Sequence, residues 1–308
     1  MTPGPGPTHY EPERGSRRVL GPLFGLACLA ATSSGVVVLA IMLGAVVLAV
    51  HRSNPDGSIL ATLGHLTTSV RSNDPDLAGF RVGIAGTLWL LGLVAAFSIP
   101  AGVGAAVFLE EYAPPGRIRR FIQINIANLA GVPSIVYGLL GLAVFTRAFG
   151  YKRLALGETL WAGGLTLSLL ILPVIVIATQ EALRTVPGSL RQAALALGAS
   201  RWQVVRDHVL PSAMPGILTG VILALSRAIG ETAPLLMVGA VGAIRRLPRG
   251  PSSRYTALPV EIYNYAKDPI KKFETVAAGG ILLLLALLLT MNATAIVIRN
   301  RYARSNRG

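Results

Sequence analysis

The sequence predicts an all-α integral membrane protein with six transmembrane helices, and three observations lead there. Of 308 residues, 52% are hydrophobic and only 14% charged, against about 25% charged in ordinary globular domains. The mean hydropathy is +0.59. The apolar residues fall in long blocks, not at the periods of half-buried helices or strands, and a block near 20 residues suffices to cross a hydrocarbon core of about 30 Å.

Other classes are excluded or lose support on composition. Cys28 is the single cysteine, so neither a disulfide framework nor a Cys-based metal site is available. His9, His51, His65 and His208 are scattered without ligand-like spacing, and no metal site is expected. The net charge of +14 fits loop Lys and Arg facing lipid headgroups rather than nucleic acid. No G-x-x-x-x-G-K-[ST] run occurs, so the chain carries no P-loop and ATP-driven work would need a partner. An intramembrane enzyme would need a nucleophile–base or metal constellation in the spans. None is present, Arg227 and Glu231 being the only charges read as lying well inside a span.

The chain begins with a Pro- and Gly-rich arm over 1–18, predicted disordered and ending in Arg17-Arg18. The spans follow at about 19–50, 82–109, 121–145, 159–179, 213–244 and 275–298 within a membrane domain of 19–302, and a basic tail closes the chain at 303–308. Between the first two spans, Asn54-Pro55-Asp56-Gly57 marks a turn. Pro100, Pro133 and Pro173 lie inside spans, where a missing amide donor favours a kink. Gly35, Gly102, Gly138 and Gly141 suit close helix approach. Six spans put both termini on one side, but Lys and Arg number 14 on that side and 13 on the other. The positive-inside rule therefore sets no orientation. Of the far-side charges, seven lie in a loop over 245–274, which suits either a docking surface for a charged partner or plain solvation.

The segment 187–211 is polar and basic. Pro187-Gly188 breaks the chain, and Ser189 with Gln192 makes an S-x-x-Q capping box for a first short helix. Gly198 suits the left-handed position that ends it. Ser200 and Gln203 form a second box, opening another short helix expected to stop at Leu210-Pro211. Ala193, Ala194 and Ala196 give the first helix a small-residue face open to close approach.

From Gln192 to Pro211 the segment reads Q-A-A-x3-G-x9-H-x-L-P. It resembles the E-A-A-x3-G-x9-I-x-L-P loop of ABC importer permeases, with Gln192 in place of Glu and His208 in place of Ile. The runs Glu110-Glu111-Tyr112-Ala113-Pro114, Asn128 to Leu139, Ser226 to Pro234 and Ala257 to Tyr263 resemble the phosphate-specific branch of that family, PstA type. The resemblance covers most of the chain from the second span onward. It implies the type I ABC importer permease fold, with 187–211 as a cytoplasmic two-helix coupling loop. Gln192, Ala193, Ala194, Gly198, Leu210 and Pro211 then fall at its ATPase contact. It also implies a sister permease (PstC type), two ATPase subunits (PstB type) and an extracytoplasmic phosphate-binding protein (PstS type). ATP and Mg would be used by the ATPase, with no cofactor bound by this chain and both termini in the cytoplasm.

Arg227 and Glu231 are four residues apart and are expected on one face of the fifth span. An ionised group at mid-bilayer costs about 2.5–3.5 kcal/mol on insertion scales, so the two are expected to pair and to face a water-lined cavity. A guanidinium offers a fork of donors that fits a phosphate. Arg227 is thus expected to contact the anion in transit, with Glu231 holding it when the path is empty. The alternative for this pair is a structural ion pair. For the whole chain the alternatives are a permease for another oxyanion, sulfate or molybdate, and a non-transport membrane scaffold.

Overall fold

The computed structural model describes residues 14–53, 59–151, 153–240 and 244–305, and every regular element among them is helical. The chain divides into two units after Ala49. The first is carried by α1 (Arg14–Ser53), and the most apolar 18 residues within its Leu23–His51 stretch have a mean hydropathy of 2.6. The helix takes in 14–18 of the predicted arm, while the rest of that arm lies outside the described residues.

The second unit holds the remaining helices. They are α2 (Ile59–Thr68), α3 (Arg81–Val107), α4 (Arg117–Ala130), α5 (Ser134–Gly141), α6 (Leu160–Arg184) and α7 (Gly188–Ala196). After them come α8 (Arg201–Gln203), α9 (Leu210–Gly230), α10 (Ala233–Val238), α11 (Leu258–Ala266) and α12 (Lys272–Ser305). The predicted turn at Asn54–Gly57 and residues 306–308 of the basic tail lie outside the described residues.

Five helical stretches are long and apolar enough to cross a membrane: one in α1, then Arg81–Tyr112, Leu160–Arg184, Arg201–Gly230 and Lys272–Tyr302. The predicted third span differs. It is a bent pair, with α4 meeting the helical stretch Ser134–Gly150 at 100° across Gly131–Pro133. A residue preceding proline is driven out of the helical region, and here that residue is Val132, directly after a glycine. Pro100 and Pro173 lose a backbone bond in the same way, yet both sit inside continuous helices.

The core is centred on α6, whose Leu167, Ile171, Ile175 and Leu183 are buried between α3 and α9. Gly216 and Gly220 bring α9 close to α6. A Cβ on Gly216 would lie 2.8 Å from the Ala182 Cβ, and one on Gly220 would collide with Ala178, the small-residue packing that suits helices in lipid. Gly102 lies against Ile175 and Gly141 against Thr166.

Gly138 sets the closest approach between α5 and α10. A Cβ there would stand 2.7 Å from the Pro234 Cα and 3.0 Å from the Met237 Cβ. Backbone cannot yield as a side-chain tip can, so Gly138→Ala is expected to destabilise the protein by about 1–3 kcal/mol. Thermal unfolding in detergent checks this, with Gly104→Ala as a control because, among the described residues, nothing beyond the backbone of its own helix lies within 4 Å of the added methyl. Equal melting temperatures for the two variants would refute it.

The predicted loop over 245–274 is largely built structure. Residues 255–262 are all buried, and α11 packs against α3 and α12. The Leu258 N–H donates to Thr87 Oγ1 at 2.9 Å, and the Tyr265 ring stacks on Phe273 at 5.3 Å and meets Phe80 edge-on at 5.2 Å. The aromatic and aliphatic content of Tyr255–Tyr265 explains why it folds inward, so plain solvation does not describe this part of the loop.

Candidate functional site

The surface segment starts differently from the sequence prediction. Helix α7 begins at Gly188 after the N-cap residue Pro187, and no side chain among the described residues caps it. Ser189 is already inside the first turn, so its hydroxyl is past the cap position and the Ser189–Gln192 box does not form. Its C-terminus follows the prediction in detail. Gly198 has φ +86°, its N–H donates to Leu195 O at 3.0 Å, and the Ala199 N–H donates to Ala194 O at 3.2 Å. These two bonds make a Schellman cap, which glycine favours because the left-handed region costs it nothing.

The second box is present. Gln203 N donates to Ser200 Oγ at 3.4 Å and the Gln203 side chain accepts from Ser200 N at 2.8 Å. The helix it opens does not stop at Leu210-Pro211, contrary to expectation. From α8 the chain passes through a π-turn, Val204–Val209, directly into α9, giving one 30-residue helix, Arg201–Gly230. The wider turn lets the Leu210 N–H reach Val205 O, and the helix runs on through Pro211. The predicted two-helix loop is one short helix, a glycine turn and the head of a long one.

The residues singled out here are divided by burial. Gln192, Ala193 and Gly198 are exposed, Leu210 and Pro211 are half-buried, and Ala194 is buried within the chain itself, out of a partner's direct reach. Exposed apolar side chains were not anticipated. Leu197 is 89% exposed and Trp202 59%, and both flank the Gly198 turn. Apolar surface presented by a basic tip suits a protein contact more than water.

Trp202 and Arg227 stand on the same helical run, 25 residues and so about 38 Å apart at 1.5 Å per residue. Arg227 lies in the last turn of α9, where a cation is favoured by the helix dipole. Glu231 is outside the helix, in extended backbone with φ −73° and ψ 117°. The expected pair nevertheless forms, Arg227 Nε to Glu231 Oε1 at 3.3 Å, because the chain bends back at the α9–α10 break. The Arg227 side chain is 48% exposed and that of Glu231 16%. Only Nε of Arg227 is engaged among the described residues, which leaves the two outer nitrogens of the guanidinium open to a ligand.

A second break faces the first. Helix α5 packs on α10, and the Tyr137 hydroxyl of α5 donates to Leu129 O at 2.9 Å, tying together the two halves of the bent pair. Tyr137 also lies within electrostatic reach of Arg227. Next to Arg227, Ser226 meets the Asn292 side chain of α12 at 2.5 Å. Interrupted helices around a lone pair of charges are how many membrane transporters build their substrate sites. The sequence assigned Tyr137 no role of its own: it lies in the run Asn128 to Leu139, where locally it is one aromatic residue among apolar ones.

Sequence reasoning missed Glu261. This residue of α11 is 0% exposed, neither carboxylate oxygen has a hydrogen-bond partner among the described residues, and a Cβ on Gly83 would collide with its Oε2. Helix α11 lies outside the membrane-crossing stretches. Burial pushes the Glu261 carboxyl up to about 8, opposed by the Arg71 charge and the Gly83 amide. The neighbouring Tyr265 is pushed up to about 12, chiefly by burial and then by Glu261.

A multi-pass helical membrane protein with two broken helices meeting at an ion pair, and one long helix running from there to an exposed tip, belongs in class with membrane transport subunits. The chain is a member of the family of binding-protein-dependent transport system inner membrane components, whose pattern matches residues 98–302. It is 36% identical over 229 residues to a protein of Bacillus subtilis named probable ABC transporter permease protein YqgI, covering 70% of this chain and 76% of that one. It is 36% identical over 239 residues to the phosphate transport system permease protein PstA 1 of Mycobacterium tuberculosis, covering 77% and 76%. PstA of Haemophilus influenzae is 36% identical over 217 residues, covering 70% and 73%. Among solved structures, a bacterial alginate ABC transporter superposes with a TM-score of 0.66 at 17% identity, covering 94% of this chain and 98% of that one. The MetNI methionine ABC transporter superposes at 0.56 with 22% identity, covering 71% and 94%. These likenesses establish the importer permease fold.

Proposed function

We propose that this chain is the permease subunit of an ATP-driven importer of inorganic phosphate. The observation that carries the reading is the Arg227 guanidinium, held by Glu231 through one nitrogen and half-open at the break between α9 and α10. An oxyanion can take the free edge of the fork through two parallel charge-assisted bonds. Glu231 keeps the arginine aimed when the path is empty, and its negative charge limits how tightly the anion is held, so that it can leave. The names of the PstA relatives favour phosphate over other oxyanions.

The turn around Gly198, with Leu197 and Trp202, docks on an ATPase subunit on the cytoplasmic side, and both termini lie on that side. Two ATPase subunits of PstB type hydrolyse ATP with Mg, a PstC-type permease completes the path, and a PstS-type protein delivers phosphate from outside. This chain performs no chemistry of its own. Uptake of phosphate and of sulfate into vesicles holding the reconstituted complex, with and without ATP, tests the reading. The expected result is ATP-dependent accumulation of phosphate alone. Accumulation of sulfate instead, or uptake indifferent to ATP, overturns it.

A further inference from the structure

Glu110 and Glu111 end α3 on a π-turn, Phe108–Tyr112, and their partners come from three other helices. Glu111 receives Arg191 of α7, with Nη2 to Oε1 at 2.7 Å and Nε to Oε2 at 3.2 Å. The same guanidinium donates from Nη1 to Val186 O at 2.7 Å and from Nη2 to Leu183 O at 2.9 Å, which are the last carbonyls around the end of α6. Glu110 receives Arg119 of α4 at 2.8 Å on Oε2, and Arg184 at 2.7 Å and Gln180 at 3.1 Å, both of α6, on Oε1. The carboxylates are nearly out of water, with side-chain exposures of 9% and 10%, so these bonds are weakly screened and geometrically demanding.

The covalent connections of α7 are poor levers by comparison. It is joined to α6 through Thr185–Pro187 and to α8 through Gly198, whose φ of +86° marks the turn. With Arg191 released, α7 keeps its packing on the Val204–Val209 turn but loses its side-chain bonds to the end of α3. With Arg191 clamped, α7 is tied to the end of α3, and through Glu110 to α4, whose continuation α5 carries Tyr137 beside the ion pair.

We propose that Arg191 and Glu111, backed by Glu110, form a strut that makes α3 and α4 follow α7, so that they are positioning residues for coupling and not part of the anion site. This rests on the importer reading above. The strut is a second route from the exposed tip to the site, beside the continuous helix Arg201–Gly230.

The test measures phosphate imported per ATP hydrolysed in vesicles containing the complete complex. With Glu111→Gln, the ATPase subunits are expected to co-purify and hydrolyse ATP within about twofold of the parent, while phosphate per ATP falls by about tenfold or more. Glu111→Asp, which keeps the charge on a shorter arm, is expected to recover part of that ratio. A parental ratio in Glu111→Gln overturns the strut, as does an equal fall in uptake and hydrolysis, which would mark a contact that only supports folding. Should Glu111→Gln fail to assemble, Glu111→Asp and Arg191→Lys carry the same two outcomes. A parent complex that imports sulfate and not phosphate refutes the phosphate reading alone, and the ratio is then taken on sulfate.

Discussion

Replacing Arg227 with lysine is expected to lower ATP-dependent phosphate uptake by about a hundredfold while the complex still assembles. Lysine keeps the charge but offers a compact ammonium in place of a planar fork. The arginine holds Glu231 through Nε alone and can bind an oxyanion through its outer nitrogens at the same time. An ammonium that turns toward the anion must release the carboxylate. Losing one charge-assisted bond at about 1.5–3 kcal/mol corresponds to roughly a tenfold to hundredfold loss, at about 1.4 kcal/mol per factor of ten. Uptake assays on matched amounts of assembled complex check this. Unchanged uptake in Arg227→Lys would show the pair to be a structural ion pair, leaving the anion path elsewhere.

The ion pair was legible in the sequence because two opposite charges four residues apart in an apolar run have few ways to avoid each other. Its setting was not legible. Spacing of four suggests one helical face, yet Glu231 reaches Arg227 from extended backbone beyond the helix end. Local signals also failed to separate the three prolines. Pro100, Pro133 and Pro173 look alike in apolar surroundings, and only the one preceded by Gly131-Val132 opens into a 100° bend. That bend is held by distant partners, with Gly138 against Pro234 and Tyr137 returning to Leu129.

Capping signals divided in the same way. Ser200–Gln203 forms its box, while Ser189–Gln192 fails because α7 starts two residues earlier than a serine cap at 189 requires. The stop expected at Pro211 gives way to a π-turn, whose i→i+5 register no propensity scale anticipates. The six blocks themselves were readable because hydropathy in a bilayer is a constraint on every residue at once. The buried carboxyl of α11 was hidden for the opposite reason. One glutamate in a mixed 30-residue segment gives no sign that its neighbours will carry it out of water.

That glutamate leads to the second large effect. Stability of the parent protein is expected to fall as pH rises between about 4.5 and 8, and Glu261→Gln is expected to remove this part of the dependence. The carboxyl of Glu261 is raised from its ordinary 4.5 to about 8 by burial. Across that window the folded chain keeps a proton that the unfolded chain has released. The slope of unfolding free energy with pH is then negative, about 1.4 kcal/mol per pH unit, and it flattens above pH 8 once both forms are ionised. The whole interval amounts to roughly 4–5 kcal/mol by the same conversion. The neighbouring Tyr265 does not share the window, being held neutral by its own upward shift to about 12. Glutamine keeps the size and leaves a buried amide without a settled partner, which costs a similar amount at every pH and so shifts the curve without tilting it. Melting temperatures in detergent from pH 5 to 8.5 provide the measurement, read as the difference between parent and variant. Parallel curves would mean that Glu261 is ionised in the folded protein, satisfied by Arg71 through a geometry other than the one seen, and that the N-terminal end of α3 is braced by a buried ion pair instead of a neutral acid.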